Sequence, residues 1–195
     1  MLQPVPSSKL THEALVALGS NLVSRHGDPT STLQNALADM EQPELRIRAV
    51  SRFYRTPFYP PGGGADFVNA VVRVETNFGP EILLRHLHRI EAASGRKRDR
   101  RWQDRTLDLD ILMMDQLVLP DQKTIQKWIN LPVSAQKEMV PEELLLPHPR
   151  LQDRAFVLVP ALDVAPDWRH PVLGKTLCEL HDALPDAAFA GIAPI

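Results

Sequence analysis

Residues 66–76, DFVNAVVRVET, place Val68, Ala70, Val72 and Val74 on one face of an extended strand. Phe67, Asn69, Val71 and Arg73 fall on the other face. An apolar face this complete must be covered by another layer, and the flanking periodicity supplies one. Gly79-Pro80 opens a helix in which Leu83, Leu87 and Ile90 recur at i, i+4 and i+7, ending at Gly95. Leu107–Met114 then alternates as a strand, with Leu107, Leu109, Ile111 and Met113 as its apolar side. Upstream, Glu13–Leu18 reads as a buried strand. Asp28-Pro29 starts a helix with Leu33, Leu37 and Met40 on one stripe, and Pro43 stops it. Leu45–Tyr54 reads as one further strand, and helices are expected over Arg154–Ala165 and Leu173–Ala183. The order β-α-β-β-α-β, followed by helices, predicts an α+β fold. It is the ferredoxin-like split βαβ arrangement, with a mostly antiparallel sheet and helices packed on it.

The 18 prolines need irregular chain to occupy. Thr56–Ala65, with its run Gly62-Gly63-Gly64, is such a loop. Gln116–Glu143 is a polar stretch with one short amphipathic possibility around Ile125–Ile129. The expected organisation is a flexible tail over residues 1–12 and a single domain over 13–195, with an insertion at about 116–143. In 195 residues no apolar run approaches the ~18 needed for a membrane span. The N-terminus shows no basic-then-apolar leader pattern. Cys178 is the only cysteine, which excludes an internal disulfide framework or a multi-cysteine metal site and fits the reducing cytoplasm. It is expected as a small core residue of the last helix. A net charge of −2 argues against wholesale binding to nucleic acid or anionic lipid.

The sharpest chemical feature is Asp108-Leu109-Asp110. Two residues apart on a strand, both carboxylates leave the apolar side and converge. Alone, the pair reads more readily as two solvated acids on a wet strand face. Its neighbours argue otherwise. Arg96, Lys97, Arg98, Arg100, Arg101 and Arg105 are six of the chain's 22 basic residues, and all fall within residues 96–105, just before the pair. Cations for phosphate oxygens beside acids for magnesium suit a metal–polyphosphate ligand. Trp102, inside this basic stretch, either stacks on a flat ligand or packs back on the domain. Phe67 and Asn69 offer a stack and an amide to a planar heterocycle, or Asn69 satisfies backbone under a covering layer. His86 and His88, at i and i+2 on a helix, point apart and cannot chelate one ion. His148, between Pro147 and Pro149, is a ligand candidate or a turn residue. Glu91 lies near a helix C-terminus, against the dipole preference.

The stretch Arg101–Leu112 (RWQDRTLDLDIL) resembles the signature of the 6-hydroxymethyl-7,8-dihydropterin pyrophosphokinases. Ala17–Leu22 (ALGSNL), Ser51–Pro57 (SRFYRTP), Asp66–Ala70 (DFVNA), and Pro147–Leu151 (PHPRL) with Arg154 resemble further motifs of that family, in the family's order. The resemblance implies a pyrophosphoryl transfer from ATP, as co-substrate, to the pterin hydroxymethyl oxygen, with release of AMP. It implies two magnesium ions held by Asp108 and Asp110. Arg96 and Arg105 match catalytic-loop arginines. His88, Glu91, Arg98, Arg105, Ile111, His148 and Arg154 match nucleotide contacts. Thr56, Pro57, Tyr59, Phe67, Asn69, Trp102 and Phe156 match the pterin pocket, with Phe67 and Phe156 sandwiching the ring. The expected partners are therefore small molecules, with no nucleic acid or membrane, and the expected state is a monomer. Gln103-Asp104 stands where the family usually has Gly-Pro, Pro149 where an aromatic is frequent, and the 116–143 segment is longer than usual. These departures keep open a paralogue acting on a different pterin. A ferredoxin-like RNA-binding module is the other alternative, disfavoured by the charge balance.

Overall fold

The computed structural model describes residues 11–58, 62–95, 105–132, 135, 139 and 141–195. The central strand β1 (His12–Ser20) pairs antiparallel with β4 (Phe67–Thr76) on one side and β5 (Asp108–Met114) on the other. β2 (Leu45–Val50) and β3 (Tyr54–Thr56) lie end to end along the far edge of β4, both antiparallel. A short β6 (Ala193–Pro194) adds to β3. The order β5-β1-β4-β2, with helices α1 (Pro29–Met40) and α2 (Pro80–Ala93) as the crossovers, is the expected ferredoxin-like split βαβ arrangement.

Both crossover helices start where the sequence says. The Asp28 side chain accepts from the Ser31 amide at 2.7 Å, and Pro29 and Pro80 each occupy the first turn of their helix, where the missing N–H costs nothing. Leu33, Ala36, Met40, Leu83, Leu87 and Ile90 face Val16, Leu18, Val68, Ala70, Val72 and Val74 across one side of the sheet. Each fully buried leucine there contributes ~2 kcal/mol. The opposite side carries Leu15, Val71, Leu112 and Met113. It is covered by α4 (Ala155–Leu162) and α5 (Leu177–Asp182), through Val157, Leu158, Leu177 and Leu180. The amphipathic stretch within residues 116–143 is α3 (Gln122–Ile129), seated through Ile125.

Four sequence expectations change. The strand over Leu45–Tyr54 is two strands, because the Ser51 hydroxyl accepts the Val71 amide at 2.9 Å and interrupts the ladder. Val50 opposes Val72 while Tyr54 opposes Asn69, so one extra residue bulges out between them. Met113 is on the α4/α5 side, not with Leu109 and Ile111. Leu15 opposes Met113 and Val16 opposes Ile111, so the extra residue Leu112 flips the alternation. Cys178 is exposed rather than in the core, since Leu177 and Leu180 take the buried side of α5. β6 has no counterpart in the expected order.

Candidate active site

β5 is an edge strand, so one row of its amides has no strand partner. The Leu109 amide donates instead to Glu91 Oε1 at 2.8 Å. Glu91 is 1% exposed, held beneath the strand by α2, so a carboxylate at a helix C-terminus is kept there by the strand it supports. With Leu109 turned into the core, Asp108 and Asp110 both stand half-buried on the open side. Arg105 Nη1 donates to Asp108, and Arg154 Nη1 lies 3.8 Å from Asp110. Burial works against the Arg105 charge, but Asp108, Asp110 and Glu91 outweigh it and hold its pKa above the ordinary value. At Arg154 burial prevails over Asp110 and Asp108, and the pKa is lowered.

His148 follows the cis Leu146–Pro147 peptide. Burial, then the Arg154 charge, pushes its pKa down to about 3, so the ring is neutral at pH 7. Its Nδ1 accepts from the Arg150 amide at 3.1 Å, which assigns the ring proton to Nε2. His148, Pro149, Asp110, Ile111, Leu84 and the Pro141–Leu145 segment enclose an open cleft of about 370 Å³. The end of the polar 116–143 stretch, with Leu144 and Leu145, therefore walls this cleft. Ile111 is 3% exposed and contributes only its edge; His88 is half-buried on α2.

A second group gathers at the β1–β4 end of the sheet. Asn69 Nδ2 donates to Thr56 Oγ1 at 2.6 Å, with both side chains buried. Asn69 thus bonds a side chain and not the backbone. A Cβ at Gly19 would stand 2.7 Å from Asn69 Oδ1, so the amide lies directly over bare backbone. Phe67 is half-buried and stacks on Phe58, centroids 6.0 Å apart. Phe156 is 39% exposed on α4, with the Arg154 guanidinium 5.7 Å over its ring. Pro57 is exposed at the end of β3. Arg154 thus lies between Asp110, 3.8 Å from its Nη1, and the Phe156 ring.

Asn21 was not singled out by the spacing, yet it ties two loops to β1. Its Oδ1 accepts the Arg105 amide at 2.7 Å, its own amide donates to the Arg105 carbonyl at 3.1 Å, and its Nδ2 donates to the Ala65 carbonyl at 3.1 Å. Ser20 adds a bond to the Thr106 carbonyl at 2.7 Å. The motif Gly19-Ser20-Asn21 was the available signal, but its partners lie far along the chain. Tyr59, Arg96, Arg98, Trp102 and the Gln103-Asp104 departure lie outside the described residues.

The donor set fits magnesium. Among the described residues no group of three or more His, Cys, Asp or Glu could hold a metal ion by itself. Two hard carboxylates flanked by arginines leave the remaining coordination to water and phosphate oxygens, as magnesium prefers. No described helix is long and apolar enough to cross a membrane.

Residues 15–166 match the family model described as 7,8-dihydro-6-hydroxymethylpterin-pyrophosphokinase. A 2-amino-4-hydroxy-6-hydroxymethyldihydropteridine pyrophosphokinase of Pseudomonas aeruginosa is 42% identical over 178 residues, covering 91% of this chain and 93% of that one. The like-named protein of Synechocystis is 31% identical over 195 residues, covering 99% and 87%. That of Haemophilus influenzae is 36% identical over 155 residues, covering 79% and 82%. Among solved structures, the Plasmodium falciparum HPPK-DHPS crystal structure with SDX-DHP superposes with a TM-score of 0.63 at 18% identity. It covers 95% of this chain, which spans 47% of the longer one, and the likeness speaks for the fold alone.

Proposed function

The chain belongs to the 7,8-dihydro-6-hydroxymethylpterin-pyrophosphokinase family and is a pyrophosphokinase of folate biosynthesis; from that premise we propose how its residues divide the work. ATP is the donor, its pyrophosphoryl group passes to the hydroxymethyl oxygen of the dihydropterin, and AMP leaves. The observation that carries this reading is the pairing of Asp108 with Arg105 and of Asp110 with Arg154, beside a cleft that Asp110 and neutral His148 line.

Asp108 and Asp110 would hold magnesium, two ions in the family pattern. Bound there, the metal neutralises phosphate oxygens and polarises the group being transferred. Arg105 and Arg154 bind and orient the phosphates, with Arg96 and Arg98 as further cations. An arginine aimed at the charge that builds up in a phosphoryl transfer contributes ~10³–10⁵ in rate. His148, unprotonated at Nδ1, presents Nε2–H to an acceptor on the nucleotide. His88 and the edge of Ile111 complete the nucleotide side. Glu91 acts through the Leu109 amide, fixing the strand that carries both aspartates.

Thr56, Pro57, Phe67, Asn69 and Phe156, with Tyr59 and Trp102, form the pterin side. A stacking ring and an oriented amide suit a flat, hydrogen-bonding heterocycle. Asn69 is held in one orientation by Thr56 and by the bare backbone at Gly19, so its amide is set before the pterin arrives. Residues 13–195 act as one catalytic domain with 116–143 as an insertion, working as a cytoplasmic monomer without nucleic-acid or membrane partners. The test is turnover with ATP, magnesium and 6-hydroxymethyl-7,8-dihydropterin, following the nucleotide product. Pterin-dependent AMP without ADP is expected. ADP formation, or no AMP, overturns the reading.

A further inference from the structure

The last ten residues lie beyond the matched segment 15–166 and take no part in the chemistry above, yet they pack on the pterin side of the sheet. A 3-10 turn at Asp186–Phe189 packs against α4, the helix that carries Phe156. The chain then reverses at Gly191, where φ is 77°, and β6 pairs with β3: Pro194 opposes Tyr54, Ala193 opposes Arg55, and the Ile195 amide donates to the Phe53 carbonyl at 2.9 Å. β3 has only three residues, so β6 occupies the one edge that β4 leaves open.

The turn also presses on the loop beside the pocket. A Cβ at Gly191 would stand 2.6 Å from Pro57 Cγ and 3.3 Å from Pro57 Cδ. The proline ring is fused to its own backbone, so it cannot swing aside as a long side chain would. Displacing it displaces Thr56, which holds Asn69, and Phe58, whose ring stacks on Phe67. Three candidate pterin residues are thus one or two steps from the Gly191 contact.

We propose that the Gly191 turn and β6 form a positioning element for the pterin pocket, setting the place of the Thr56–Phe58 segment without touching the pterin. The inference rests on the pterin reading of that pocket.

Gly191→Ala tests it, with Gly174→Ala as the matched control. Gly174 also has a positive φ, 68°, but no atom lies within 4 Å of its added Cβ. Both variants therefore carry the cost of a left-handed alanine, and only one pushes on Pro57. Gly191→Ala is expected to raise KM for the pterin about tenfold while KM for ATP stays within about twofold. Gly174→Ala is expected to lower the thermal midpoint by a similar amount and leave both constants unchanged. Ile195→Pro, which removes the amide bonded to Phe53 together with a side chain that is 59% exposed, is the milder variant should Gly191→Ala fail to fold; a rise of about threefold in pterin KM alone is expected. Equal pterin constants in Gly191→Ala and Gly174→Ala, a parallel rise in both KM values, or an unchanged pterin KM in Ile195→Pro overturns the inference while wild-type turnover leaves the pyrophosphokinase reading standing. Absence of AMP from the unmodified chain overturns both.

Discussion

Two carboxylates held side by side repel unless cations answer them, and here Arg105 pairs with Asp108 and Arg154 faces Asp110. Asp108→Asn and Asp110→Asn are each expected to reduce magnesium-dependent turnover by at least about 10³-fold, because an amide is a poor ligand for a hard cation. Pterin affinity, measured by fluorescence titration, is expected to survive in both; its loss would place the aspartates in the pterin pocket instead. Glu91 is a different kind of acid. Glu91→Leu leaves the buried Leu109 amide unpaired and is expected to cost ~1–3 kcal/mol in urea unfolding, whereas Glu91→Gln keeps an acceptor and costs less. Equal losses in the two variants would mean that the hydrogen bond is not what Glu91 supplies. The aspartates were legible because alternation on a strand is local. Glu91 left only a faint trace, its position against the helix dipole, since its partner amide is 18 residues away. Asn21 left less, with partners 44 and 84 residues distant.

Helix starts and strand faces followed closely from short-range chemistry, and their energies can be tested one at a time. Asp28→Ala removes the acceptor for the Ser31 amide and is expected to lower the urea midpoint without changing either KM. A change in catalysis would show that α1 transmits strain to β1. What the alternation missed, it missed for identifiable reasons. Ser51 looks like any polar strand residue until its hydroxyl takes the Val71 amide. Leu112 continues an apolar run, and only pairing with β1 reveals that it is the extra residue that turns Met113 to the other side. β6 is two residues long and exists only because β3 offers an edge. Each of these depends on a partner strand, which a single segment cannot declare.

Acid sensitivity belongs to the molecule as a whole. His170 is fully buried, its Nδ1 accepts the Val172 and Leu173 amides, and burial pushes its pKa down to about 4. Unfolded, the ring takes a proton near pH 6.5; folded, it refuses one until about pH 4. The unfolded chain therefore binds more protons across that window, and stability falls as pH drops through it, by up to about 3 kcal/mol. His148 extends the same trend towards pH 3. Urea midpoints recorded from pH 7 to pH 4 are expected to show this decline, with a shallower slope in His170→Asn. An unchanged slope would assign the acid limb to other groups.

The insertion has its own consequence. Leu119 and Leu146 exchange both backbone bonds, at 2.8 and 3.1 Å, so the two ends of the segment between them are pinned together. Residues 120–145 are an excursion whose ends are already joined, and doubling its length would cost only about 0.6 kcal/mol in closure entropy. Its final stretch, Pro141–Leu145, nevertheless forms a wall of the cleft that Asp110 and His148 line. One side of that cleft thus rides on a segment closed at its base by Leu119 and Leu146, while Asp110 belongs to β5, so this wall can change without altering the strand that carries the aspartates.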